Sequence, residues 1–336
     1  MLVLAFSLVL IAGIFQGTFV LPMTLTKQWE WEHIWATFSL LGMLVFNWIL
    51  TLIFIPDILA IYSSIPSQDI LILILFGAGW GIGAILFGLG MDKLGMALGY
   101  PIIMGLIASL GALIPLLIIH PESMFMTKGI VLLSGMALVI VGIIVCARSG
   151  SKKQPEGVKN GEARSGAMAV GLSIAIFAGI LSCLPNVGIA FGENLIETAK
   201  AFGTPETFAG NASWALFFTV GFVVNFGYCL YLMIRKNTLR NYFNPATLKN
   251  VGLGGVMAIL WIGSFYLYGM AAAKLGKWGV VVGWPLFISL SIVVGNLWGI
   301  WRGEWKNAPR KARSLLNIGI LILCIAVVVI AISNSL

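Results

Sequence analysis

Residues 80–95 read WGIGAILFGLGMDKLG, and residues 261–276 read WIGSFYLYGMAAAKLG. Each stretch opens on Trp, has Gly eight residues later and reaches Lys-Leu-Gly thirteen residues after the Trp. A second match follows each stretch, because Gly-Tyr-Pro at 99–101 corresponds to Gly-Trp-Pro at 283–285. Several matches in the same order indicate an internal repeat.

The composition places the repeat in a membrane. Of the 336 residues, 60% are hydrophobic and 10% are charged, and the mean hydropathy is +1.02. Soluble domains carry about 25% charged residues, so the sequence predicts a multi-pass protein in a lipid bilayer. Runs of roughly 20 apolar residues cross the hydrocarbon as helices. Ten such spans are predicted, at about 2–22, 34–55, 70–91, 94–119, 129–147, 167–190, 207–234, 251–272, 277–300 and 315–333.

The basic residues predict the orientation of these spans. Odd-numbered loops hold sixteen Lys and Arg residues and even-numbered loops hold four. Short cytoplasmic loops collect Lys and Arg, so the odd loops are predicted to lie inside and both termini outside. The net charge of +8 is thereby assigned to topology, and no nucleic-acid partner is predicted.

The position of the repeat within the spans predicts the fold. The repeated phrase ends span 3 and begins span 4, and again ends span 8 and begins span 9. The unit is therefore five helices, and an odd unit must enter the membrane upside down in its second copy. We expect an all-α protein with a first repeat at 1–147, a cytoplasmic linker at 148–166 and a second repeat at 167–336. Inverted repeats are typical of secondary transporters that work by alternating access.

Three stretches resemble a known family: QWEWEHIW at 28–35, FGAGWGIGAILFGLGMDKLGM at 76–96 and GEWKNAPRKA at 303–312. In order and spacing they resemble the L-rhamnose–proton symporters of the drug/metabolite transporter superfamily. The resemblance implies a ten-helix, five-plus-five fold in the bacterial inner membrane and import of a neutral deoxy-sugar or other monosaccharide with a proton. Residues 271–285 lack the acidic residue of that family, so the sugar and the coupling ion stay open.

Amides and aromatic rings are the side chains that suit a neutral sugar. An amide both donates and accepts hydrogen bonds, and aromatic rings pack on the C–H faces of a sugar. Hydrogen bonding between helices is the alternative role for the amides, and core packing is the alternative for the rings. The substrate-binding candidates are Gln16, Trp80, Tyr100, Asn186, Trp261, Tyr266 and Trp284.

Proton coupling and gating have their own candidates. Intramembrane acids commonly carry protons, and the nearest to the spans are Asp92 and Glu193. Proline removes a backbone donor, so a kink or break of the helix beside the substrate is predicted at two motifs. The motif residues are Gly99, Pro101, Gly283 and Pro285.

The remaining residues exclude other classes of protein. The four cysteines show no paired spacing and the two histidines lie at span edges, so neither a metal nor a cofactor is predicted. A membrane enzyme would carry clustered acids or His near one interface, and the long loops hold no such cluster. An exporter or a uniporter of another small neutral metabolite on the same fold stays an alternative, and the oligomeric state stays open.

Overall fold

The computed structural model describes residues 2–94, 96–119, 121–153, 163–303 and 305–333. Within these residues the chain is all-helical, and ten helices are long and apolar enough to cross a membrane. The prediction of ten spans is confirmed. The spans are Leu2–Leu25, Trp31–Phe54, Ser67–Gly90, Ile102–Ile119, Thr127–Cys146, Val170–Phe191, Glu206–Arg235, Thr247–Lys274, Gly279–Trp301 and Arg310–Ile330, numbered 1 to 10.

Two of the spans are irregular. Span 2 joins an α-helix at Trp31–Phe38 to another at Asn47–Phe54 through a π-helical segment at Ser39–Phe46. Span 6 divides into helices at Ala163–Ser182 and Leu184–Phe191. π-helical segments are rare and occur often at functional sites. The backbone of span 2 therefore departs from regular α-helical geometry at this segment.

The other spans are formed by long α-helices, and shorter helices and turns connect them. The long α-helices are Leu2–Thr18, Ser67–Leu94, Met96–Ile119, Thr127–Lys153, Ala212–Arg235, Thr247–Lys274, Gly279–Trp301 and Arg310–Ser333. The short α-helices are Ile58–Ser64, Glu193–Ala201 and Glu206–Ala209, and the 3₁₀ turns are Leu21–Leu25, Pro121–Phe125, Leu239–Tyr242 and Gly276–Trp278.

Neither Gly-X-Pro motif breaks its helix, and a kink at these motifs stays a prediction. The helix Met96–Ile119 runs through Gly99 and Pro101, and the helix Gly279–Trp301 runs through Gly283 and Pro285. Both prolines lie within two turns of the start of their helix, so few preceding backbone hydrogen bonds are lost. Span 6 is interrupted at Cys183, and Pro185 lies in the first turn of the helix that begins at Leu184, where proline is tolerated well.

The chain forms two compact units, and each draws on both halves of the sequence. Unit 1 consists of Met1–Ile82 and Gly188–Lys277, and unit 2 consists of Gly83–Val187 and Trp278–Leu336. Unit 1 therefore holds spans 1, 2, 7 and 8 with the first part of span 3. Unit 2 holds spans 4, 5, 9 and 10 with most of span 6. The sequence halves are thus not the compact units.

Inside unit 1, span 1 packs on span 8, and span 2 packs on spans 7 and 8. Span 3 approaches span 7 so closely that a Cβ added at Gly77 would lie 2.5 Å from the backbone oxygen of Phe217. Span 2 approaches span 8 in a similar way, because a Cβ at Gly42 would lie 3.3 Å from Ala258. Small residues permit this close approach of membrane helices.

Inside unit 2, span 5 packs along span 10, span 4 packs on spans 5, 6 and 9, and span 9 packs on span 10. The second part of span 3 packs on span 6, where a Cβ at Gly83 would lie 2.9 Å from the side chain of Leu181. Spans 5 and 10 meet at Gly142 and Leu323. Each unit thus has its own set of tightly packed helices.

Candidate functional site

Trp80 and Trp261, the residues that open the two copies of the repeated phrase, lie against each other in unit 1. Their rings stack with centroids 5.8 Å apart and an interplanar angle of 23°. Both side chains are buried, with 8% and 3% exposed. They belong to a larger group of rings, which we term the aromatic cluster: Phe38, Trp80, Trp214, Phe217, Phe218, Trp261 and Phe265.

Gln16 lies beside this cluster. Its Oε1 accepts a hydrogen bond from Ser264 Oγ at 2.7 Å, and Ser264 is also within 2.6 Å of the carbonyl oxygen of Trp261. The side chain of Gln16 is half-buried. Span 1 packs along span 8, which explains why Gln16 reaches Ser264. The structure therefore brings together Gln16, Trp80 and Trp261, three of the predicted substrate-binding residues.

Three buried residues at the start of span 7 have polar atoms without partners. Both amide atoms of Asn211, the hydroxyl of Ser213 and the indole nitrogen of Trp214 have no hydrogen-bond partner, and all three residues are at most 1% exposed. Trp214 belongs to the aromatic cluster and stacks on Phe218 with centroids 5.1 Å apart. Buried polar groups are normally paired, so these atoms are suited to a water molecule or to a ligand with hydroxyl groups. The repeat phrase gives no signal for them.

A cavity of about 290 Å³ opens in unit 1 where span 2 ends and span 7 begins. Phe54, Asp57, Thr204 and Phe208 are among its lining residues. The rings of Phe54 and Phe208 stack with centroids 4.2 Å apart and an interplanar angle of 12°. The volume is close to the lower limit of about 300 Å³ for ligand sites. A flat aromatic pair beside a carboxylate and a hydroxyl is suited to a small polar ring.

Tyr266 lies near this cavity but is occupied by protein contacts. Its hydroxyl is 2.9 Å from Thr51 Oγ1 and 3.4 Å from the carbonyl oxygen of Asn47. The ring is 5% exposed and lies 6.3 Å from that of Phe54. In this structure Tyr266 therefore connects span 8 to span 2.

Asn186 and Trp284 both donate hydrogen bonds to one helix of unit 2. Asn186 Nδ2 donates to the carbonyl oxygens of Gly111 and Val280 at 2.6 and 2.7 Å. Trp284 Nε1 donates to the carbonyl oxygen of Ile107 at 2.9 Å. Both side chains are buried, so the contacts are those of interhelical hydrogen bonds. The position of Asn186 just after Pro185 places its amide at the break in span 6.

Of the coupling candidates and Tyr100, only Glu193 has a described side chain. Glu193 is exposed in the first turn of the helix Glu193–Ala201. The side chains of Asp92 and Tyr100 lie outside the described residues. Among the carboxylates whose side chains are described, only Glu32 is fully buried, with 1% exposed. No group of three or more His, Cys, Asp or Glu residues is arranged as metal ligands in the described part of the chain.

The family model for the L-rhamnose-proton symport protein (RhaT) matches residues 1–335 of this chain. The chain belongs to the RhaT family. The L-rhamnose-proton symporters of Salmonella typhi and Salmonella newport are each 28% identical to it over 330 residues, which cover 94% of this chain and 94% of each relative. RhaT membership and the ten apolar helices make the chain a multi-pass inner-membrane protein.

Sequence reasoning about this RhaT family member missed Glu32 and the unpartnered polar atoms of span 7. Glu32 lies in the stretch QWEWEHIW, which contributed to the resemblance but was assigned no role. An acid directly followed by a long apolar run is the signal that could have identified it. Asn211 offered no comparable signal, because an amide in a span is most often paired with another helix.

Proposed function

We propose that this chain imports L-rhamnose together with a proton across the inner membrane. The observation that carries the proposal is the match of the RhaT family over residues 1–335. Relatives that cover 94% of the chain are named as L-rhamnose-proton symporters. A neutral sugar and a proton agree with spans that contain few charged residues.

We propose further that the transport cycle uses two inverted repeats of five helices, as in the drug/metabolite transporter superfamily. The helix pairs support this. In the proposed repeat, spans 1–5 are equivalent to spans 6–10, so each packed pair should have an equivalent pair. Spans 1 and 8 correspond to spans 6 and 3, spans 2 and 8 correspond to spans 7 and 3, and spans 4 and 5 correspond to spans 9 and 10. Every one of these pairs is in contact within its own unit. In this proposal both termini lie outside.

The proposed sugar site lies in unit 1, on the aromatic cluster. Trp80 and Trp261 offer ring faces to the C–H groups of the sugar, and Gln16 and Asn211 offer amide groups to its hydroxyls. The support is geometric: Gln16 lies next to Trp261 through Ser264, and Asn211 has unpaired polar atoms. Burying an unpaired amide is costly, so a bound hydroxyl would lower the free energy of the site. Tyr100, Asn186, Tyr266 and Trp284 are secondary candidates.

Uptake into proteoliposomes tests the proposed function. Purified protein is reconstituted, an acid-outside pH gradient is imposed and labelled L-rhamnose is added. We expect accumulation above the outside concentration, together with alkalinisation of the medium that depends on L-rhamnose. Downhill uptake without proton movement would instead identify a uniporter. Absence of L-rhamnose uptake, with transport of another sugar from a competing panel, would refute the substrate.

A further inference from the structure

Glu32 is a buried acid in the first turn of the helix Trp31–Phe38, at the start of span 2. Its side chain is 2% exposed, whereas that of its neighbour Glu30 is 46% exposed. Acids buried in membrane spans are costly and are typically functional. The burial of Glu32 therefore indicates a role beyond helix packing.

Two carboxylates share a single ammonium group at this position. Lys236 Nζ lies 2.9 Å from Glu32 Oε1 and 3.0 Å from Glu30 Oε2. These hydrogen bonds, first that of Glu32 and then that of Glu30, raise the pKa of Lys236 above its ordinary value. The lysine therefore stays charged across the physiological range, and the three groups carry a net charge of −1 when both acids are ionised. Water can solvate Glu30, whereas the buried Glu32 depends on Lys236 for its counter-charge.

Two residues close in sequence to this ion pair, His33 and Thr238, have buried polar atoms without partners. His33 Nε2 is 2.9 Å from the carbonyl oxygen of Thr238. A carbonyl only accepts, so Nε2 carries the hydrogen, and Nδ1 is an acceptor that is buried without a partner. The hydroxyl of Thr238 is also buried without a partner. Each of these two atoms can bind a water molecule.

The titratable groups around Glu32 come from each element packed on it. Glu30 and His33 come from its own segment, Lys236 and Cys229 from span 7, and Tyr242 from the turn Leu239–Tyr242. Tyr242 donates to the carbonyl oxygen of His33 at 2.9 Å, and its burial raises the pKa of its hydroxyl. The buried Cys229 thiol is a weak acid and stays protonated. Glu32 is thus the acid of this group that lacks water.

We propose that the Glu32 carboxylate binds the transported proton, with Lys236 as its counter-charge. The inference rests on the proposed symport. Proton binding forms one O–H bond on Glu32 and changes the net charge of the three groups from −1 to 0, while Lys236 keeps Glu30 as its partner. Release of the proton restores the ion pair that the structure contains. In the proposed orientation, span 2 begins at the cytoplasmic side, where the proton is released.

Two assays on Glu32→Gln test the inference. Exchange of labelled for unlabelled L-rhamnose across the membrane needs no net proton movement, whereas accumulation driven by a pH gradient does. We expect Glu32→Gln to keep exchange and to lose accumulation and L-rhamnose-dependent alkalinisation. The matched control is Glu197→Gln, which alters an exposed acid paired with Lys200 outside this site and is expected to keep both activities.

The outcomes separate this inference from the proposed function. Wild-type protein that moves no L-rhamnose with protons refutes the function itself. Wild-type symport with Glu32→Gln that accumulates sugar at the wild-type proton-to-sugar ratio overturns the inference, as does loss of exchange in a folded variant. If Glu32→Gln fails to fold, the double variant Glu32→Gln with Lys236→Gln removes the unpaired ammonium. Gradient-driven accumulation by that double variant would also overturn the inference, and exchange without accumulation would support it.

Discussion

Trp80 and Trp261 are 181 positions apart in sequence and stack with ring centroids 5.8 Å apart. They hold the same position in the two copies of the repeated phrase. When two repeats are related by a two-fold axis, a residue that touches its own equivalent lies next to that axis. In the proposed inverted repeat, this contact would therefore lie next to the pseudo-two-fold axis.

Replacing Gly77 with Ala tests the close approach of spans 3 and 7. The new Cβ would lie 2.5 Å from the backbone oxygen of Phe217, and a backbone atom cannot move aside without shifting a helix. We expect the free energy of unfolding to fall by about 1–3 kcal/mol, measured by thermal unfolding in detergent. The control is Gly227→Ala, because nothing lies within 4 Å of that position. Equal stability of the two variants would contradict the packing.

Gln16→Ala tests the polar part of the sugar site. Ser264 keeps the carbonyl of Trp261 as an alternative acceptor, so we expect the melting temperature to stay unchanged. Loss of one hydrogen bond to the sugar is expected to raise the Kd for L-rhamnose about five- to tenfold. Titration calorimetry measures it, with the exposed Gln68→Ala as the control. An unchanged Kd would remove Gln16 from the site.

Asn186→Ala tests the contacts that hold spans 4, 6 and 9 together. The amide donates to Gly111 and Val280, so its removal is expected to lower the free energy of unfolding by about 1 kcal/mol. Thermal unfolding measures this loss, with Asn296→Ala as the control. Asn296 donates to Ile292 within its own helix and is expected to be neutral. Full stability of Asn186→Ala with weaker sugar binding would assign Asn186 to sugar binding rather than to helix packing.

Asn211→Leu separates a binding role from a packing role. The amide of Asn211 has no protein partner, so an apolar side chain of similar size is expected to keep or raise the melting temperature. Affinity for L-rhamnose is expected to fall. Asn47→Leu is the contrasting variant, because Asn47 Nδ2 donates to the carbonyls of Met43, Trp214 and Ala215. A loss of stability in Asn211→Leu as large as in Asn47→Leu would contradict the assignment.

The number and type of elements could be predicted from the sequence because both depend on local properties. An apolar run of about 20 residues must form a helix in lipid, and ten such runs are visible. The stacking of Trp80 on Trp261 was not predicted, because equivalent positions in two repeats touch only where both lie near the axis that relates the repeats. Helix breaks were harder to predict. Pro185 lies in the first turn of a helix that follows an interruption, whereas Pro285 lies inside a continuous helix.

The partners of individual side chains could not be predicted, because they depend on helix rotation. Asn186 and Asn211 are both amides in apolar spans, yet one donates to two carbonyls and the other has no partner. Glu32 lies in the first turn of span 2 and is nevertheless buried, with Lys236, which directly follows span 7, 2.9 Å away. Such contacts join positions that are 75 or more residues apart, and a one-dimensional pattern does not specify them.

Labelling of Lys93 and Lys274 from the two sides of the membrane tests the inverted repeat most directly. Each lysine is replaced with Cys in a background without the four native cysteines, and intact cells and inverted vesicles are treated with a maleimide that does not cross lipid. Two five-helix copies in opposite orientations predict that Lys93→Cys reacts only from the cytoplasmic side and Lys274→Cys only from outside. Reaction of both positions from the same side would contradict the inverted repeat and the alternating-access carrier that depends on it.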